Sequence, residues 1–214
     1  MGNVLDLLQL IPPLLFALTV HEFSHAFVAY RLGDPTARMM GRLTLNPIAH
    51  LDPIGSILLI LPPHFGWAKP VPVDARNLKH PRRDMMWIAL AGPVSNIVLA
   101  AGFGTLLRIL PSLPFEFTTP AAVAVLRMVE TSVVLNLILA FFNMIPIFPL
   151  DGSRILTGIL PHTMAERFQA FEPMGPMLLL GLILLGAVTG VRIIQILIFP
   201  FVNFFALLFT GGLI

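Results

Sequence analysis

His21, Glu22 and His25 stand together in the run Val20-His21-Glu22-Phe23-Ser24-His25-Ala26. Residues four apart on a helix share a face, so the two imidazoles point the same way. Imidazoles at that spacing hold one metal ion between them, usually zinc. The intervening glutamate can then reach a water molecule at the ion as general base. The run sits within an apolar stretch, where two histidines and a glutamate are costly unless they serve a function. The plainer reading, polar side chains packed between helices, leaves that cost without an offset.

Composition sets the surroundings. Of 214 residues, 57% are hydrophobic and 11% charged, and mean hydropathy is +0.89. A soluble domain carries about a quarter charged residues, so an all-α polytopic membrane protein is expected. The length suits a single membrane domain over 1–214. Net charge is +2, and the basic residues are not interleaved with aromatics on a soluble face, so no nucleic-acid partner is expected. The absence of cysteine excludes disulfides, thiolate ligands and a cysteine nucleophile. Any metal must be held by histidine and carboxylate. The first apolar segment lacks a basic leader and carries the histidines, which argues against a cleaved signal peptide.

About five transmembrane helices are expected. Residues 4–30, 85–110 and 121–145 form three spans long enough to cross about 30 Å of hydrocarbon. Residues 174–189 and 191–209 form two more, with Gly190 at the turn and Pro200 interrupting the second. Between the first and second spans, residues 31–84 hold eight of the thirteen basic residues, which places this loop in the cytoplasm. Within it, 54–61 is apolar but too short to span and ends at Pro62-Pro63, as a re-entrant or interfacial segment would. Residues 67–73 read as extended chain because prolines bar a helix. This stretch is either an ordinary loop or a strand edge that receives an extended peptide, with Trp67, Lys69 and Val71 as substrate contacts. In the second span, Gly92-Pro93 predicts a kink. Asn96 is there for an interhelical hydrogen bond or for a place beside the site. Arg127 and Glu130 are spaced to pair on one helix face. Residues 111–120 form an outside turn and 154–172 a second inside loop.

Two histidines do not complete a catalytic zinc site, which has three protein ligands and a water. Topology selects the third. If 54–61 does not cross, the third span brings Asp151 to the side where His21 and His25 lie. Glu116 and Glu130 fall on the opposite side, and Asp6 is about three turns or more away, at the far end of the first span. His50, His64, His80 and His162 are in loops. The prolines and glycine of Pro146, Pro149 and Gly152 break the helix and turn Asp151 back toward the bundle.

These residues resemble the site-2 protease family of intramembrane zinc metalloproteases, close to its small prokaryotic members without PDZ or nucleotide-sensing domains. The likeness is carried by His21-Glu22-Phe23-Ser24-His25, Gly41-Arg42-Leu43-Thr44-Leu45-Asn46-Pro47, Phe65-Gly66-Trp67-Ala68-Lys69-Pro70, Ala91-Gly92-Pro93-Val94-Ser95-Asn96 and the stretch from Asn143 to Gly152. Phe148 departs from the proline found in many relatives and leaves the ligand spacing intact. The resemblance implies zinc on His21, His25 and Asp151, with Glu22 as catalytic base and Asn143 close by. It implies a catalytic core over about 1–155, to which a helical pair at about 174–211 is added. The expected activity is hydrolysis of peptide bonds in or near transmembrane segments of a membrane protein or peptide substrate. The expected location is the cell membrane, multi-pass in the lipid bilayer, with the active site toward the cytoplasm. Self-association into a homo-oligomer is left open. The alternative is a metal-ion transporter or a metal-binding membrane protein without protease activity. That alternative needs ligands at several depths along a path, whereas the strong candidates gather at one level.

Overall fold

Apolar segments close their own backbone hydrogen bonds in hydrocarbon, and helices do this within one segment. A computed structural model describes residues 4–53, 55, 68–112 and 118–214. Among them there is no strand, only an isolated antiparallel bridge between Leu51 and Ala68. The long helices are α1 (Val4–Arg31), then α3 (Pro81–Ile109), α4 (Pro120–Asn143), α7 (Gly175–Thr189) and α8 (Ile193–Thr210). The short ones are α2 (Thr36–Met39), α5 (Asp151–Ile159) and α6 (His162–Gln169).

Their ends follow local chemistry. Proline opens both α3 and α4, at the position whose N–H has no helical partner. The Asp84 carboxylate turns back to accept the His80 N–H at 2.9 Å. The Thr119 hydroxyl accepts the Ala122 N–H at 3.2 Å. Gly190, at φ 73°, makes the left-handed turn that ends α7.

Among the described residues, five segments are long and apolar enough to cross a membrane: Gln9–Arg31, Pro81–Ser112, Pro120–Asn143, His162–Gly186 and Ile193–Thr210. The protein is an all-α, multi-pass membrane protein. α1, α3 and α4 pack together as its centre. α8 leans on α3 and α4 through a core that includes Ala100, Leu107, Val133, Leu137, Val202 and Ala206. Gly104 allows this approach, since a Cβ there would lie 2.7 Å from that of Phe209. α7 is peripheral. It buries Leu179 and leaves Leu178, Leu180, Leu184 and Leu185 exposed.

Two expectations change, and a third falls outside the described residues. The stretch 154–172 is helical over most of its length, as α5 and α6, rather than an inside loop. The buried positions of α5 are Gly152, Ser153 and Thr157, while its apolar residues Ile155, Leu156 and Ile159 stay partly or fully exposed. Its hydroxyls close onto its own turn, Ser153 to Leu150 O at 2.6 Å and Thr157 to Ser153 O at 2.8 Å. Arg127 and Glu130 form no ion pair among the described residues, and Arg127 is exposed. The re-entrant segment expected at 54–61 lies, apart from Gly55, outside the described residues.

Candidate metal centre

The site is built where α1 and α3 cross antiparallel. α1 offers His21 and His25 four residues apart. α3 answers with Ile88, Gly92 and Asn96 at the same step. His25 Nδ1 lies 2.7 Å from the Ile88 carbonyl oxygen, and His21 Nδ1 lies 2.5 Å from Asn96 Oδ1. A carbonyl oxygen only accepts, so both rings donate from Nδ1 and keep a lone pair on Nε2. Between these contacts Gly92 gives the rings room. A Cβ there would stand 2.5 Å from His25 Nε2 and 2.6 Å from His21 Nε2. The rings meet edge to face, with centroids 4.6 Å apart, and both histidines are buried.

The third arm comes from the turn after α4. α5 begins at Asp151, and Asp151 Oδ2 lies 3.2 Å from His21 Nε2 and 3.3 Å from His25 Nε2. Gly152 lets this turn close, because a Cβ there would stand 2.2 Å from the Met144 carbonyl oxygen. The donor set fits a divalent cation. Two imidazole lone pairs and a carboxylate oxygen converge with no hydrogen available between them, an arrangement that repels itself unless a positive charge sits at the focus. The spacing fits too. A zinc–ligand bond of about 2.0 Å gives a tetrahedral edge of about 3.3 Å.

Glu22 faces a different neighbour. Its Oε2 accepts the Val71 N–H at 3.1 Å. Val71 belongs to an extended strap that is fastened on both sides. Lys69 N–H reaches the His50 carbonyl at 2.9 Å. The buried Arg42 guanidinium holds two successive carbonyls, Lys69 O at 2.5 Å and Pro70 O at 3.2 Å. Further along, Asp34 is fully buried and accepts from Asp74 N at 2.8 Å, Asn77 Nδ2 at 2.8 Å, Thr36 N at 3.0 Å and the Thr36 hydroxyl. Burial pushes the Asp34 carboxyl up, but these donors outweigh it and hold the group below the usual carboxylate range. Asp74 is held down to about 2 by hydrogen bonds from Arg76.

The residues expected at the site are therefore placed unevenly. His21, His25 and Asp151 converge, Glu22 adjoins them, and Asn96 touches His21. Asn143 donates to Leu139 O of its own helix at 2.9 Å. Among the described residues, no hydrogen bond joins it to the histidines or Asp151. Lys69 and Val71 lie on the strap, while Trp67 falls outside the described residues. The prolines that predict extended chain also remove its donors: of Pro70, Val71 and Pro72, only Val71 has an N–H, and Glu22 takes it. The roles of the Ile88 carbonyl, the clearance at Gly92, Arg42 and Asn136 are not evident from the sequence alone. The four-residue steps from Ile88 to Gly92 and from Gly92 to Asn96, equal to that from His21 to His25, are the signal from which the first two could be read.

A sequence profile described as Peptidase family M50 matches residues 113–186, a region that includes Asp151. YwhC of Bacillus subtilis, named as a candidate zinc metalloprotease, is 41% identical over 166 residues, which cover 78% of this chain and 75% of its own. The chain belongs to peptidase family M50. It is a zinc metalloendopeptidase of that site-2 protease family. Rip2 of Mycobacterium tuberculosis, also named as a candidate zinc metalloprotease, is 35% identical over 167 residues, covering 74% of this chain and 59% of Rip2. A zinc metalloprotease of Methanocaldococcus jannaschii is 27% identical over 193 residues, covering 89% of this chain and 46% of its own. No solved structure matches. Zinc is the metal of this family, which is one of peptidases and not of transporters, and the three converging acceptors suit a divalent cation.

Proposed function

We propose that this M50 member cleaves peptide bonds in or beside transmembrane segments of membrane proteins, with zinc held by His21, His25 and Asp151. The observation that carries this reading is the meeting of two Nε2 lone pairs and one carboxylate oxygen inside a membrane-spanning bundle. Zinc bound there supplies Lewis acidity, which lowers the pKa of a water and polarises a carbonyl. Glu22 takes the proton of the attacking water at its carboxylate and returns it to the departing amine. The Ile88 carbonyl and Asn96 orient the two imidazoles from behind. The strap at Lys69 and Val71 lines the approach to Glu22 and lies along an extended substrate. That substrate must be locally unwound, because a helical backbone hides its carbonyls. The catalytic machinery occupies about 1–155, and the helical pair at about 174–211 flanks it. The basic loop faces the cytoplasm of a cell membrane, so water reaches the site from that side.

The test compares the wild-type protein with Glu22→Gln on a membrane-embedded reporter, with elemental analysis of bound zinc. Glu22→Gln is expected to keep its zinc and to lose turnover by about 10²-fold or more. Wild-type turnover in Glu22→Gln would remove Glu22 as the base. Cleavage of soluble peptides only, with no cut in the embedded reporter, would overturn the assigned substrate.

A further inference from the structure

Behind His21 lies a chain of two amides, of which the chemistry above uses only Asn96. Asn96 and Asn136 are both 0% exposed. Asn136 Nδ2 donates to the Ser132 carbonyl at 2.8 Å, within α4. Its Oδ1 accepts from Asn96 Nδ2 at 2.7 Å, across to α3. Asn96 Nδ2 also points at the Ala17 carbonyl of α1 at 3.3 Å. That leaves Asn96 Oδ1 for His21 Nδ1. The run has one direction only. A main-chain carbonyl has no hydrogen, so Ser132 O fixes which end of Asn136 faces it. Asn136 then presents an oxygen to Asn96, so Asn96 must present its NH₂ in return and its oxygen to His21. His21 must therefore carry its hydrogen on Nδ1 and its lone pair on Nε2.

We propose that Asn136 is a positioning residue for the metal centre, setting through Asn96 the tautomer in which His21 can serve as a ligand. The proposal rests on the reading that His21 holds zinc. If the Asn96 amide turned over, its NH₂ would face His21 Nδ1 and draw the lone pair there. The ring hydrogen would then sit on Nε2, aimed at Asp151 and in place of the metal. Of the two contacts that oppose this turnover, the one to Ala17 is the longer, so the restraint comes chiefly from Asn136. Burying two neutral amides in a bundle offers little stability over apolar side chains of the same shape. A packing role alone would therefore tolerate leucine at this position.

The experiment uses the full-length protein in nanodiscs. Zinc affinity is measured by chelator competition, and the apo His21 tautomer is read from ¹⁵N shifts of labelled histidine. Asn136→Leu is expected to weaken zinc binding about 10- to 100-fold and to move His21 toward the Nε2–H form. Asn136→Asp, which is neutral when buried and so keeps one donor and one acceptor, is expected to stay near wild type in both readouts. Wild-type affinity with His21 still Nδ1–H in Asn136→Leu would overturn the proposal. If the leucine variant yields no folded protein, Asn136→Ala takes its place with the same two outcomes. Failure of the wild-type protein to bind zinc, or binding that survives loss of His21, His25 or Asp151, would sink the ligand assignment instead and is read separately.

Discussion

Gly92 stands where a single methyl group would do the most harm for the least chemical change. In an exposed helix, alanine stabilises by about 0.5–1 kcal/mol over glycine. Here its Cβ would lie within van der Waals overlap of both rings, at 2.5 and 2.6 Å. The rings are pinned on their far sides by Ile88 and Asn96 and have nowhere to retreat. Gly92→Ala is expected to retain its fold and lose zinc affinity at least tenfold, as measured by chelator competition. Asp151→Ala is expected to lower bound zinc in elemental analysis, since two imidazoles remain where three ligands are needed. At this scale the sequence was most legible where spacing itself carries meaning. His21, Glu22 and His25 announce a metal site by their helical step, and Asp151 by its place after the third span. Asn136 was not legible. A lone polar residue within a span shows no period, and its partner lies forty positions away.

Helices and straps are the next level. The first three spans are readable because each is an uninterrupted apolar run of membrane length. α5 is harder to read because it buries Gly152, Ser153 and Thr157 while its apolar Ile155, Leu156 and Ile159 lie outside the buried positions, so its hydrophobic residues do not mark the face that packs. The extended strap was readable from its prolines, but its fastening was not, since a guanidinium on two carbonyls is a tertiary fact. Arg42→Ala frees both carbonyls and leaves the three converging ligand atoms untouched. It is expected to retain zinc, to lose turnover about tenfold or more, and to be nicked by protease between residues 68 and 73. Acid acts on the same region. The folded-state pKa of Asp34 is below its unfolded value, so its contribution is present above about pH 4 and fades as pH falls through the lower folded value. Asp34→Asn is expected to weaken the 71–77 segment at neutral pH and to flatten its acid dependence, as followed by amide hydrogen exchange.

For the whole molecule, the fold class followed from composition, because 11% charge cannot clothe a soluble globule of this size. The sidedness is open to direct measurement. The chain has no cysteine, so single cysteines report without background. With the basic loop inside, a cysteine replacing Arg76 is expected to react with a membrane-impermeant maleimide only from the cytoplasmic face. One replacing Thr118 is expected to react only from the outer face. The reverse pattern would invert the assigned orientation.

The strap's short run Pro70-Val71-Pro72 limits what can be recognised beside Glu22. With two imino acids and one committed amide, the main chain of that run has only carbonyl oxygens for the peptide proposed to lie along it. The visitor must bring every hydrogen itself. A peptide of unchanged sequence and shape, but N-methylated along the backbone at the positions facing this run, would find nothing there to grip.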